Sequence, residues 1–467
     1  MRLLRSCSTL AIHSRAAFLL ICWLASALAT APAQTVSLVH SFSGADGEFP
    51  RDGALTQGRD GKLYGTTQSG GSAGDGVLYK QQVGTNGNVV FHNFDGPEGA
   101  IIIGGLTLAP EGNMYGAAGT GGAFNQGTLF KIDSAGSVTV LHNFSGGTDG
   151  SGPAAAPIEG TDGNFYGITS GSNSVHPTIY QFKPSGNFAT IYTYPDFGVL
   201  GYPLLQSSNG YLYATAGDGD CGTITKLTTA GVVKSIRNFS CTGSGPKGPD
   251  GSLIQASDGF IYGTTVGGGP SNAGTVFQLD GKKGSLTVLY NFGSVQNDGL
   301  APQAGLVEGS DGNFYGTTLA GGSQKSGTIF KIAPDGTYTQ LYSFPQVSGV
   351  LNQGPQASLV QHTNGSFYGT TENGGTGLGS IFKLDMGLGP FITFVQPNGK
   401  VGRAAQILGQ GLTGTTSVTF NGVPATTFKV LSDSYLTALV PSGATTGLVV
   451  ATTPGGTLTS NRNFVVK

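Results

Sequence analysis

The chain has 467 residues, of which 10% are charged, with a net charge of −2, 81 glycines and 22 prolines. So low a charge density, with no cluster of Lys or Arg, excludes a polyanion-binding surface, and nucleic acid is not an expected partner. Glycine this abundant without a collagen-like period indicates many tight turns, and the length exceeds one ordinary domain.

The chain opens with Arg2, Arg5 and Arg15, then an apolar run from Ala16 to Leu24, then small residues through Ala33. This is the order of a secretory signal, with a core too short for the roughly 20 apolar residues of a membrane-spanning helix. Residues 1–33 are therefore expected to be removed, and no later apolar span predicts a transmembrane segment. Removal takes Cys7, Cys22 and the only tryptophan, Trp23, and leaves Cys221 and Cys241 as the one cysteine pair. In an oxidising compartment they are expected to form a disulfide.

From residue 34 the sequence repeats. Tyr64-Gly65, Tyr115-Gly116, Tyr166-Gly167, Tyr213-Ala214, Tyr262-Gly263, Tyr315-Gly316 and Tyr368-Gly369 recur at intervals of 47 to 53 residues, the length of a four-stranded propeller blade. Each follows a turn pair: Asp60-Gly61, Glu111-Gly112, Asp162-Gly163, Asn209-Gly210, Asp258-Gly259, Asp311-Gly312 and Asn364-Gly365. Such pairs predict type I′ hairpins with positive φ at both central residues. The fifth repeat reads as strands over 252–255, 260–265, 274–279 and 286–292, rich in β-branched and aromatic residues. A lone strand, Val36 to Phe42, precedes the first repeat, and the seventh stops after its third strand at Leu384. One end supplies what the other lacks, so residues 36–42 are expected to complete the last blade of a closed seven-bladed ring spanning 34–387.

The Tyr-Gly-Thr-Thr, Gly-Gly, Gly-Thr-Val/Ile-Phe-Lys and Leu-Tyr-x-Phe elements together resemble the GloVer tandem repeat of bacterial choice-of-anchor extracellular proteins, over about residues 36–385. The third and fourth repeats depart from it at Ser174 to Pro177 and at Tyr213-Ala214. The resemblance implies a secreted or cell-surface location and brings no activity with it. Residues 388–467 read as seven short strands of a β-sandwich. The Pro397 to Gly399 turn, Gly409-Gln410-Gly411-Leu412, Val418 to Gly422, Ala438 to Pro441 and Phe464 to Val466 resemble the IPT/TIG immunoglobulin-like family, which implies a spacer or adhesion module. The expected fold class is thus all-β, a seven-bladed propeller followed by an immunoglobulin-like sandwich.

Nothing in the sequence forms a catalytic constellation, a metal motif or a cofactor fingerprint. His40, His92 and His142 share a column with Tyr192, Arg237, Tyr290 and Tyr342, which marks a packing or rim position; His362, beside a hairpin, is expected to be solvated. His176 lies in a loop between second and third strands, on the side where propellers commonly bind ligands. Asp46, Glu48, Asp52, Asp218 and Asp220 lack the ordered spacing of a calcium loop. On the inner strand a polar column runs through Gln57, Glu159, Gln206, Gln255, Glu308 and Gln361, broken by Leu108. These side chains either line the channel or bond between blades, since a buried amide or carboxylate needs partners. The expectation is a secreted or surface, non-enzymatic binding or structural module. Carbohydrate or a cell-surface protein is the open partner class, with Phe49, Phe124, Phe197 and Tyr202 as aromatic contacts. The alternatives are an extracellular lyase or hydrolase at the channel mouth, and a protein–protein adhesion module.

Overall fold

The computed structural model describes residues 34–467 except 52, 86, 103, 173, 196–200, 218–220 and 347–353. The proposed export signal and Phe197 lie outside the described residues. Every regular element among them is a β-strand, and none is a helix long and apolar enough to cross a membrane.

Seven four-stranded antiparallel sheets follow one another along the chain. Blade 5 consists of Ile254–Gln255, Ile261–Thr265, Thr275–Leu279 and Leu286–Asn291, ordered from inside to outside. Its inner strand is shorter than the four residues its sequence suggests. The preceding residues turn to the channel instead, where a Cβ on Gly251 would meet the backbone of Ala304 in blade 6 at 3.0 Å. The ring is closed by Thr35–Ser41, which pairs with Ser380–Asp385 from Thr35↔Asp385 to Ser41↔Ser380 as the outer strand of blade 7.

Burial explains why the blades form a ring. Seven apolar clusters each join two consecutive blades, one per junction. Phe42, Tyr79, Tyr368 and Ile381 fill the junction of blades 7 and 1, so closure is a packed interface as well as a hydrogen-bonded one. A single four-stranded sheet could not bury both faces by itself.

The repeat motif has a mechanical explanation on each of its letters. Tyrosine reaches back to the turn four residues earlier: Tyr262 Oη donates to Asp258 Oδ2 at 2.6 Å, Tyr166 to Asp162 at 2.7 Å and Tyr315 to Asp311 at 2.9 Å. Burial, the bond donated to the acid and the carboxylate charge raise these phenol pKa values. The turns differ from the type I′ form expected. Only the glycines are left-handed, with φ of 74° for Gly61 to 99° for Gly112, and Gly61 N–H bonds to Gly58 C=O at 3.1 Å. This is a type I turn closed by a left-handed glycine. The acid stays right-handed because its carboxylate is held from two sides: Asp258 accepts both the Phe260 N–H at 2.9 Å and the tyrosine.

The glycine after the tyrosine makes room for the neighbouring strand. Gly263 pairs with Phe277, Gly316 with Phe330 and Gly369 with Phe382. A Cβ on Gly263 would sit 2.5 Å from the Phe277 ring and one on Gly369 2.6 Å from Phe382. Blade 4 is the exception that follows the same rule: Ala214 pairs with Thr225, a side chain small enough to leave space for a methyl.

Beyond the ring, two four-stranded sheets share one core that includes Ile392, Ile407, Leu412, Phe420, Leu436 and Phe464. They form a β-sandwich. Cys221 and Cys241 are disulfide-bonded across the ends of the third and fourth strands of blade 4, with Cα atoms 4.9 Å apart.

Three measurements test this description. Gly263→Ala should cost about 1–3 kcal/mol in urea unfolding by overpacking. In blade 4, Thr225→Phe should be similarly costly alone and recover when combined with Ala214→Gly; additive losses would show that the pairing does not set the residue choice. Reduction of the disulfide should lower stability by about 3 kcal/mol, the value for a closed loop of 20 residues, and an unchanged urea midpoint in reductant would contradict it.

Candidate functional site

The ring leaves little space at its centre. A cavity of about 100 Å³ is walled by residues at the start of the inner strands of all seven blades, among them Ala54, Gly104, Ala155, Tyr202, Ala304 and Ser358. Small residues there let neighbouring backbones touch, and Ser252 Oγ lies 3.2 Å from Ser358 Oγ across Gly305. Ligand pockets for small molecules generally enclose about 300 Å³ or more. Tyr202 lines this cavity; Phe49, Phe124 and His176 do not. Phe49 is half-buried at φ 55°, its N–H bonded to Leu378 C=O, whereas Phe124 is 58% exposed and His176 half-buried.

The polar column bonds between blades. Gln206 Oε1 accepts the Thr161 N–H at 2.7 Å, Gln255 that of Ser208 at 2.6 Å, and Glu308 that of Ser257 at 2.9 Å. Gln361 accepts the Ser310 N–H at 2.8 Å, and Gln57 that of Thr363 at 3.0 Å while donating to the Thr363 hydroxyl. Each side chain therefore latches the turn of the preceding blade. Glu159 is different: one carboxylate oxygen is buried with no hydrogen-bond partner. Burial pushes its pKa up to about 7, against the influence of the Gln396 amide and with help from the charges of Glu111 and Asp162.

The histidine column pairs with acids. His40 Nε2 lies 2.7 Å from Asp46, His92 2.5 Å from Glu98 and His142 3.0 Å from Asp149, while Tyr290 donates to Asp298 at 2.8 Å. These pairs tie each outer strand to the loop that leads into the next blade, and His142 also stacks on Phe188 at 3.7 Å. Burial resists ionisation of Asp149, but the Ser145 hydroxyl and amide and His142 outweigh it and hold the pKa below its usual value. The partner acids stand six to eight residues after the column, a spacing visible in the sequence. Of the loop acids considered for calcium, Asp46 is engaged with His40 and Ser43, and Glu48 accepts from Ser69 at 3.4 Å. Asp52, Asp218 and Asp220 lie outside the described residues, among which no three His, Cys, Asp or Glu side chains gather as metal ligands.

His362 corrects the expectation of a solvated side chain. It is fully buried, with Nε2 3.0 Å from Gly61 C=O in blade 1 and Nδ1 accepting the Asn364 N–H. The sandwich chain at Leu388 and Gly389 runs over this hairpin, which is why the turn is covered.

A larger space opens between blades 1 and 2 on the turn side. A cleft of about 370 Å³ is lined by Arg59, Asp60, Tyr64, Lys80, Phe91 and Glu111, with Asn113 and Asp133 at its margin. Phe91 forms the aromatic wall: Tyr64 meets it edge-on at 5.6 Å and Lys80 Nζ lies 4.4 Å from its centroid. Arg59 separates the cleft from the sandwich, its guanidinium 4.7 Å over the Tyr435 ring. None of these residues was singled out for binding from the sequence, because they come from two repeats and from ordinary strand and turn positions.

Burial lowers the pKa of His362, partly opposed by its bonds to Gly61 and Asn364, so the folded chain holds it neutral. The unfolded chain takes up the proton first on acidification. Its contribution is complete above the ordinary pKa of 6.5 and is lost as pH falls below it. Urea titrations between pH 8 and 5 should show stability declining below 6.5, and His362→Gln should flatten that decline; an identical slope in the variant would exclude His362 as its source.

No curated protein matches the chain. Among solved structures, the extracellular domain of a putative one-component system from B. thetaiotaomicron aligns with 12% identity and a TM-score of 0.48, covering 90% of this chain and 57% of that one. The chain thus spans little more than half of that neighbour's length. A periplasmic gluconolactonase of Pseudomonas aeruginosa aligns at 16% identity and TM-score 0.44, over 69% of this chain and 98% of that one. A putative 6-phosphogluconolactonase of Bacteroides fragilis gives 20% and 0.45, over 70% and 89%. In sequence, the model of the Gloeobacter/Verrucomicrobia repeat matches residues 28–220 and 201–430. With most of its length accounted for by that match, the chain belongs to the Gloeobacter/Verrucomicrobia repeat family.

Proposed function

We propose that the protein is an extracellular, non-enzymatic binding module and that it takes carbohydrate in the cleft between blades 1 and 2. In this reading residues 1–33 are a removable export signal, 34–387 the propeller and 388–467 an IPT/TIG immunoglobulin-like module. The disulfide supports an oxidising compartment.

The observation that carries the ligand reading is the cleft itself, about 370 Å³ against about 100 Å³ for the channel. A pyranose has apolar C–H faces edged by hydroxyls. It is complemented by an aromatic wall such as Phe91 edged by acceptors such as Asp60 and Glu111 and donors such as Lys80 and Asn113. The cleft mixes both charges, which suits a neutral or weakly charged sugar better than a polyanion. The central cavity, about 100 Å³ and lined mainly by Gly, Ala and Ser, gives a lyase or hydrolase reading no comparable footing.

The purified chain should bind a defined subset of a panel of bacterial and plant glycans. Phe91→Leu, which keeps the apolar volume but removes the ring, should weaken binding at least tenfold on titration with the best array hit, while Tyr202→Ala in the channel should leave it unchanged. Loss of binding in Tyr202→Ala alone would move the site to the channel, and an array without hits would remove carbohydrate as the ligand class.

A further inference from the structure

Five of the seven blade junctions carry the same latch, in which a Gln or Glu on one inner strand accepts the N–H of a Ser or Thr in the preceding turn. Junctions 1–2 and 2–3 do not. At the first, the column residue is Leu108, which has no acceptor for the turn at Arg59. At the second, the turn residue is Pro110, which has no N–H to offer Glu159. The two lapses are adjacent, and the sandwich covers both.

Its side chains take the places left vacant. Gln406 Nε2 donates to Pro110 C=O at 2.8 Å, and its Oε1 accepts from Arg59 at 2.7 Å. Arg59 also donates to Pro110 C=O and lies over Tyr435, while Ser434 Oγ donates to Arg59 C=O at 2.7 Å. Leu408 and Tyr435 are buried in the same apolar cluster as Leu108 and Met114 of blade 2. At the second lapse Lys467 Nζ donates to Thr161 C=O at 3.1 Å.

We propose that the sandwich is a clamp on the propeller, which closes the ring at blades 1 to 3 in place of the two absent latches. A free spacer would not need buried contacts with three hairpins.

Amide hydrogen exchange on the full chain, with rates corrected for intrinsic exchange, reads the clamp locally. Gln406→Ala with Tyr435→Ala should speed exchange over 105–116 in blade 2 at least tenfold and leave 250–265 in blade 5 unchanged. Restoring the latches with Leu108→Gln and Pro110→Ser should abolish that increase. Equal exchange in the two blades, or the same increase with the latches restored, would overturn the clamp. If the double variant does not fold, Gln406→Ala alone carries the same comparison between blades.

Discussion

A blade of four short strands has two apolar faces and no third layer to cover them, so its only route to burial is another blade on each side. That constraint organises the molecule. It places the largest buried side chains, Tyr79, Tyr166, Phe130 and Phe277 among them, at junctions between sheets. It also requires closure, because an open array would end with two uncovered faces. The pairing of Thr35–Ser41 with the last sheet removes both ends at once.

Within that constraint the repeat motif is a set of contacts rather than a label. The turn acid holds the tyrosine, the tyrosine braces the hairpin, and the glycine admits the aromatic ring of the next strand. Blade 4 shows that the contacts are what matter. It exchanges Gly for Ala and the aromatic for Thr together, and its Tyr213 bonds Gly281 C=O of the next blade in place of a turn acid. The polar column adds a second layer of linkage at the turn face, and the sandwich sits where that layer lapses.

Much of this was legible in the sequence. The period gave the blade, the orphan strand before Phe42 gave the closure, and two lone cysteines gave the disulfide, because each is a local pattern with one physical reading. The type I′ turn was misread because Asp-Gly pairs are compatible with two turn families, and the choice between them depends on the tyrosine and amide that hold the carboxylate. His362 looked like a hairpin residue in water because the segment that buries it begins some 25 residues later. The latches had a visible signal: Ser or Thr stands two residues after the column in blades 3 to 7, and Arg59 and Pro110 stand there in blades 1 and 2. What no single repeat could disclose was the cleft around Phe91, which exists only when two blades come together.

The closing strand has a consequence for how the chain reaches its fold. Thr35 and Asp385 are partners separated by 350 positions, and no shorter-range contact can substitute for them. A chain made from its N-terminus delivers the first half of this pair long before the second. Until then the strand before blade 1 presents unpaired backbone groups and the exposed apolar side chain of Leu38, a ready template for a foreign strand. Assembly of this protein therefore has a window, set by the time needed to deliver seven blades, in which residues 35–41 stand as an unpaired strand edge.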